Sequence, residues 1–180
     1  MSNFSFLKTE DGMNNIIQHD VERFCNFLNL AENILRGGSE LSIAERELIF
    51  AYVSGLNSCT YCFGAHKAVA QEFNIDAELL DKLVSSDKPA AAGKKLQPCL
   101  SLAQKAAREA YRVERSDIEA IINTGWSEET AHDVISIAAI ATFSNILVDG
   151  HGVAGSHAHF QQVVKALGPK GGYQIKKWSR

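Results

Sequence analysis

The chain has 180 residues, 46% of them hydrophobic, with 18 basic and 21 acidic side chains and a formal net charge of -3. That length supports one domain with a real hydrophobic core, spanning 1–180. The charge balance gives no electrostatic footing for nucleic acid or an anionic membrane surface.

A local basic cluster, Lys165, Lys170, Lys176, Lys177 and Arg180, is diluted by Gly171 and Gly172 and reads as a solvated tail. Residues 1–15 carry no signal-peptide hydrophobic run. The longest apolar stretch, Val134 to Val148, is 15 residues and contains Ser136, Thr142, Ser144 and Asn145. A bilayer span needs about 20, so a buried helix, a cytoplasmic location and no membrane partner are expected. Four cysteines without an export signal do not suggest a secreted disulfide scaffold. Cys25 and Cys99 stand alone and read as small buried hydrophobes.

In chain order the periodicity is helical throughout, with little sign of a sheet. Val21, Phe24, Leu28, Ala31 and Leu35 line a first helix, stopped by Gly37 and Gly38. Ser42 and Glu45 form a capping box that opens a second helix, running through Glu47 to about Leu56. A cysteine helix follows, from near Ser58 to Phe73, with Cys62, His66, Val69 and Phe73 on its stripe. A short helix is expected from Asp76 to about Val84, then a linker at Pro89. Residues 90–111 favour helix, with Pro98 breaking it or marking a fresh start. Ser116 and Glu119 read as a second capping box, whose helix ends near Thr124-Gly125. Ser127 caps a long helix to about Val148, broken by Asp149-Gly150-His151-Gly152, and His157 to Leu167 is the last. Phe50, Tyr52, Ile137, Ile140 and Phe143 are assigned to the core.

The chemistry is concentrated in Cys59-Thr60-Tyr61-Cys62-Phe63-Gly64-Ala65-His66, with Glu47 on the preceding helix. Two cysteines three apart on a helix share a face with Cα atoms roughly 5 Å apart, inside the disulfide window. His66 lies one turn beyond Cys62, so its ring can meet that sulfur. Unpaired N–H groups of the first helical turn, and an imidazolium nearby, ease thiolate formation. Cys62 is therefore assigned as the attacking thiolate and Cys59 as the resolving thiol. The reverse order stays open, because Cys59 is nearer the helix end.

Such a pair suits thiol peroxidase chemistry. The thiolate attacks the peroxide O–O bond, leaving a sulfenic acid and an alcohol. The second thiol captures the sulfenic acid as a disulfide, and an outside dithiol reduces it. His66 can protonate the leaving alkoxide, and Glu47 can hold or charge His66 if their helices cross. Taken alone, Glu47 reads as a solvated helix edge and His66 as a core histidine. Tyr61 reads as a packing or rim residue and a secondary site candidate. Phe63 can line an alkyl pocket. His132 and His151 are remote candidates, and His19, His157 and His159 more remote still.

These residues resemble the AhpD-like proteins of the carboxymuconolactone decarboxylase superfamily, in particular an uncharacterised peroxidase-related branch. The resemblance is carried by Leu41-Ser42, Glu45-Arg46-Glu47-Leu48-Ile49, Tyr52-Val53-Ser54 and Cys59-x-Tyr61-Cys62-x-x-x-His66. Asn123-Thr-Gly-Trp126-Ser127 and Phe143-Ser-Asn145 resemble later helices, so the likeness spans most of 15–153. It implies an all-α helical bundle and a homo-oligomer. It also implies a hydroperoxidase in which Glu47 and His66 relay protons to a cysteine pair whose second member attacks. No bound cofactor or metal is implied. The external dithiol reductant would be a lipoylated or thioredoxin-like partner. AhpD itself has a histidine at the position of Tyr61, so its complete proton relay does not carry over. Lactone decarboxylation is a poor carry-over, because that branch lacks the cysteine pair.

Three other uses of the same residues fit the sequence. Cys59, Cys62 and His66, with Glu47 or another subunit, could ligate zinc. The pair could serve as a redox sensor without turnover. A protein disulfide reductase is a third reading, although no strand–turn–helix setting or Trp-Cys-Gly-Pro-Cys sequence supports a thioredoxin fold.

Overall fold

The computed structural model describes residues 2–86 and 89–173, and among them the chain is all-α with no strand. α1 (Met13–His19) is a helix that the periodicity does not reveal, being too short for a full apolar repeat; it buries Ile16 and Ile17. α2 (Val21–Arg36) turns Leu28, Ala31 and Leu35 inward and stops at Gly37, as expected. Cys25, expected in the core, is only half-buried at the edge of α2, where its thiol donates to the Glu22 carbonyl. The last carbonyls of α2 are met by Arg46, whose Nη1 donates to Gly37 O at 2.8 Å and Ile34 O at 3.2 Å.

α3 (Ile43–Leu56) opens with the expected box. Ser42 Oγ accepts the Glu45 N–H at 3.2 Å, and Glu45 Oε2 accepts the Ser42 N–H at 2.8 Å. Every residue from Arg46 to Ser54 is buried. A helix covered on all sides is the centre of the bundle rather than its skin. Glu47 is therefore in the core, not at a solvated edge. α4 (Thr60–Glu72) packs along α3 more extensively than any other pair of elements.

α5 (Ala77–Ser86) begins where the Asp76 carboxylate accepts the Glu78 N–H. After a short 3-10 turn at Pro89–Ala92 comes α6 (Gly93–Glu109), which contains Pro98 without breaking. One turn before Pro98, the Lys95 carbonyl accepts the Trp126 indole N–H at 3.0 Å, which ties α6 to the turn before α8. α7 (Arg115–Ile122) is capped by Glu114, not Ser116. Asp117 is its third helical residue, and Asp117 Oδ2 accepts the Glu114 N–H at 2.8 Å while holding Lys105 at 2.6 Å. That second attachment, to α6, selects this register over the one starting at Ser116.

α8 (Glu128–Gly150) is long and apolar enough to cross a bilayer by composition, and it packs against α3 and α6. Ile137 and Ile140 are buried as expected, but Phe143 is 46% exposed, beside Ile146 at 69%. α9 (His157–Leu167) lies across α4. Their approach depends on Gly64, where an added methyl would come within 2.2 Å of the Phe160 ring. Lys165 and Lys170 are exposed, while Lys176, Lys177 and Arg180 lie outside the described residues.

Ser127 is the N-cap of α8 by position, but its hydroxyl does not close the cap. Instead Glu40, from the loop before α3, reaches over. Its Oε2 accepts the Ser127 N–H at 3.0 Å, the Ser127 hydroxyl at 2.8 Å and the Thr130 hydroxyl at 2.5 Å. The Thr130 bond, then those of Ser127, lower the Glu40 carboxyl from 4.5 to about 2. A depressed carboxyl contributes stability that is full above its unfolded value and lost as pH falls through its folded one. Glu40→Gln should therefore melt below wild type at pH 7, and the gap in melting temperature should close as pH falls from about 4.5 toward 2. Paired thermal melts across that range are the measurement.

Candidate active site

The turn from α3 to α4 positions the cysteines. Ser58 has φ +60°, a left-handed conformation that costs a non-glycine residue about 1–2 kcal/mol. Neighbouring bonds hold it. Asn57 Nδ2 donates to Asn145 Oδ1 at 2.9 Å and Thr142 Oγ1 at 3.2 Å, both on α8. The Cys59 N–H reaches back to Ser54 O at 3.0 Å. Cys59 is thus the extended N-cap of α4, with φ -79° and ψ 95°, and not a helical residue as the sequence reading had it. Cys62 sits in the first turn. Both are buried free thiols, Cys59 fully and Cys62 at 4% exposure, and a hydrogen bond joins the two sulfurs.

His66 and Glu47 meet as the helix crossing allowed. His66 Nδ1 lies 2.6 Å from Glu47 Oε2, in the core. The imidazole also stacks on Phe50, with centroids 3.6 Å apart and planes 20° off parallel. A third residue, Arg36, was not identified from sequence. Its Nη2 stands 2.6 Å from Glu47 Oε1, a close ion pair set off the hydrogen-bond line. The same nitrogen donates to Leu167 O at 2.8 Å, and the guanidinium lies over the Tyr173 ring at 5.3 Å. Burial works to raise the Glu47 carboxyl. The charge and hydrogen bond of His66, then the charge of Arg36, outweigh it and hold the group below the usual carboxylate range. An arginine in the last turn of a helix is already accounted for by the helix dipole, which is why sequence alone does not single out Arg36.

Cys62 and His66 line one apolar cavity of about 60 Å³. Its walls are Ile17 of α1, Leu28 and Leu35 of α2, Phe50 of α3, Ile140 of α8 and Leu167 of α9, together with Tyr61 and Tyr173. Phe63, expected as a lining residue, faces elsewhere, packing toward Gly55 and under Lys67. Tyr61 is buried, and its hydroxyl oxygen accepts the Met13 N–H at 3.2 Å. Behind it is His159, more involved than its sequence ranking suggested. Its ring lies 5.8 Å from that of Tyr61, and its Nε2 bonds to the Glu10 carbonyl. His132 and His157 are exposed, and His151 is spent on the Leu147 carbonyl. The Tyr173 hydroxyl is buried and meets no hydrogen-bonding partner among the described residues, an arrangement that costs about 1–3 kcal/mol. No group of three or more His, Cys, Asp or Glu side chains is gathered as a metal site among the described residues.

The acid–base setting of Cys62 is the reverse of the helix-end expectation. Its hydrogen bond with Cys59, burial, and the nearness of the Cys59 sulfur push the Cys62 thiol well above its ordinary range. A hydrogen bond from Asn145 pulls the other way and does not prevail. Asn145 is itself fixed, donating to Ser54 Oγ at 2.9 Å.

No protein-family model and no curated protein matches the chain. Among solved structures it is similar to an uncharacterised peroxidase-related protein from Silicibacter sp. TM1040, with TM-score 0.75 and 24% identity over 83% of this chain and 78% of that one. It is also similar to an uncharacterised peroxidase-related protein from Ralstonia eutropha JMP134, described as an alkylhydroperoxidase AhpD core, with TM-score 0.77 and 21% identity over 88% and 94%. The fold is the AhpD-like helical fold that the sequence resemblance implied.

Removing one partner of a buried ion pair strands the other charge, at about 3–5 kcal/mol. Arg36→Met should therefore lower unfolding free energy by about that amount, read by urea denaturation. Amide exchange should rise along α9, because the Leu167 carbonyl loses its tie.

Proposed function

We propose that this protein is a thiol-dependent peroxidase that reduces hydrogen peroxide or small alkyl hydroperoxides through Cys62 and Cys59. One observation carries the reading: Cys62, bonded through its sulfur to Cys59 behind it, and a carboxylate-oriented histidine line the same apolar cavity. The AhpD-like fold is in keeping with it.

Glu47 occupies His66 Nδ1, which leaves Nε2 as the nitrogen that exchanges protons within the cavity. His66 takes the Cys62 proton as peroxide binds, and Asn145 donates to the thiolate that forms. The thiolate attacks one peroxide oxygen. An S–O bond forms, the O–O bond breaks, and the departing alkoxide takes the proton back from His66 to leave as an alcohol. The Cys59 thiol then attacks the Cys62 sulfenic acid. An S–S bond forms, and hydroxide leaves with the Cys59 proton as water. Two electrons from an external dithiol restore the pair. With both sulfurs buried, a slender dithiol such as the dihydrolipoyl arm of a lipoylated partner suits the site better than the bulky face of a thioredoxin-like one. Glu47 acts through His66 and is a positioning residue. Tyr61 shapes the wall.

A thiol held protonated at rest makes the pH dependence distinctive. Peroxide oxidation of Cys62 should be slow at neutral pH and accelerate as pH rises. Cys59→Ala should move that profile to lower pH, because the largest influence raising the thiol is gone. Cys59→Ser should stop at a trappable sulfenic acid on Cys62, and Cys62→Ser should abolish the fast reaction. His66→Ala should slow it about a hundredfold. Stopped-flow oxidation with intact-mass trapping reads all four. A wild-type rate no faster than that of a model thiol at every pH would sink the proposal.

We further propose a homo-oligomer, with exposed apolar side chains of α2 and α8 as the joining face. Leu30 is 53% exposed, and Ile146 and Phe143 on α8 are comparably open. Light scattering at micromolar concentration should give more than one chain mass, and Ile146→Glu should reduce it; a monomer in both proteins would remove the idea.

A further inference from the structure

Tyr173 is anchored as a built part of the cavity. After α9 the chain turns back on itself, Gly172 N–H donating to Ala166 O at 2.9 Å and Gly171 N–H to Gly168 O at 2.7 Å. The Tyr173 N–H is then fixed on Glu32 Oε2 of α2 at 2.6 Å, and its ring is held beneath the Arg36 guanidinium. That ring lines the cavity shared by Cys62 and His66. Of the three hydroxyls on the cavity wall, that of Tyr173 is the one without a hydrogen-bond partner among the described residues. Ser144 Oγ donates to Ile140 O at 2.8 Å, and the Tyr61 oxygen holds Met13 N–H. The Tyr173 hydroxyl is buried without such a tie, yet close enough to Cys62 and Glu47 to feel their charges.

A phenol so placed has a proton to donate and, among the described residues, nothing to receive it. Burial, and then the negative charge of the nearby Glu47 carboxylate, disfavour the phenolate, so the group remains a donor. Resting on the peroxidase reading, we propose that Tyr173 is a substrate-binding residue whose hydroxyl donates a hydrogen bond to the hydroperoxide oxygen that becomes the alcohol, orienting the O–O bond toward Cys62 Sγ. No bond to Tyr173 forms or breaks. The hydroxyl stabilises the alkoxide as the O–O bond opens, while the proton that completes the alcohol comes from His66. The ligand class is a compact hydroperoxide head on an apolar substituent, since most of the remaining wall is hydrocarbon.

Tyr173→Phe keeps the ring and removes only the hydroxyl, so the fold should be retained with an unchanged or higher melting temperature. The second-order rate of Cys62 oxidation by hydrogen peroxide and by tert-butyl hydroperoxide should fall about ten- to a hundredfold, the worth of a hydrogen bond to a developing charge. Alkylation of Cys62 by iodoacetamide, which has no peroxide oxygen to bind, should keep its rate and pH profile. Equal peroxide rates in variant and wild type would overturn the Tyr173 assignment and leave the peroxidase reading standing. Parallel losses of alkylation and oxidation would also overturn it, since the residue would then be acting on the thiol. No fast peroxide oxidation in wild type would overturn both.

Discussion

The Glu47 carboxylate, buried at the middle of the bundle, constrains everything around it. A lone ionised carboxylate in such a place carries a desolvation cost of several kcal/mol. It is tolerated because side chains from two other helices meet its two oxygens, Arg36 on α2 and His66 on α4. Neither partner can drift without stranding the charge. The helices that carry them are therefore fixed relative to α3, and so is α9, through the bond from Arg36 to Leu167 O. An apolar residue would stabilise the core as well or better. What an ionised group adds is direction: it decides which imidazole nitrogen is occupied and which is left facing the cavity. Stacking on Phe50 then removes the rotation that a single hydrogen bond would leave to the ring.

The cysteine pair has been given the opposite treatment. Reactive thiols are often made acidic by helix ends and cations, and Cys62 is indeed in the first turn of α4. Dehydration and the neighbouring Cys59 thiol overcome that advantage. The Cys62 thiol is held well above its ordinary range on a cavity wall that it shares with His66.

Much of this was legible locally. The Ser42 box, the glycine stops, the span of α3 and the limits of α9 all follow from a few neighbouring residues. The Glu47–His66 meeting was anticipated only on the condition that their helices cross and through the family resemblance, since Glu47 taken alone reads as a solvated edge. Failures occurred where distant chain segments decide. Glu40 replaces the expected Ser127 cap from a remote loop, and Lys105 selects the register of α7. Phe143 is apolar yet exposed, because a helix with hydrophobic residues on every side does not declare which side faces out. Arg36 and Tyr173 reach the site only through the packing of α2 and the turn after α9. The raised Cys62 thiol likewise depends on burial, which no helix-end argument contains.

The cavity draws its lining from α1 to α4, from α8 and α9, and from Tyr173, while α5, α6 and α7 contribute nothing to it. During synthesis the dithiol, Glu47 and His66 leave the ribosome as an early unit, and the segments that roof them follow only after the uninvolved middle of the chain. The roof closes by contacts far apart in sequence, a step inherently slower than helix formation. Until then, the cysteines of a nascent chain are open to water and to the small thiols and oxidants of their surroundings. The upward shift of the Cys62 thiol is acquired late, as a property of the finished molecule.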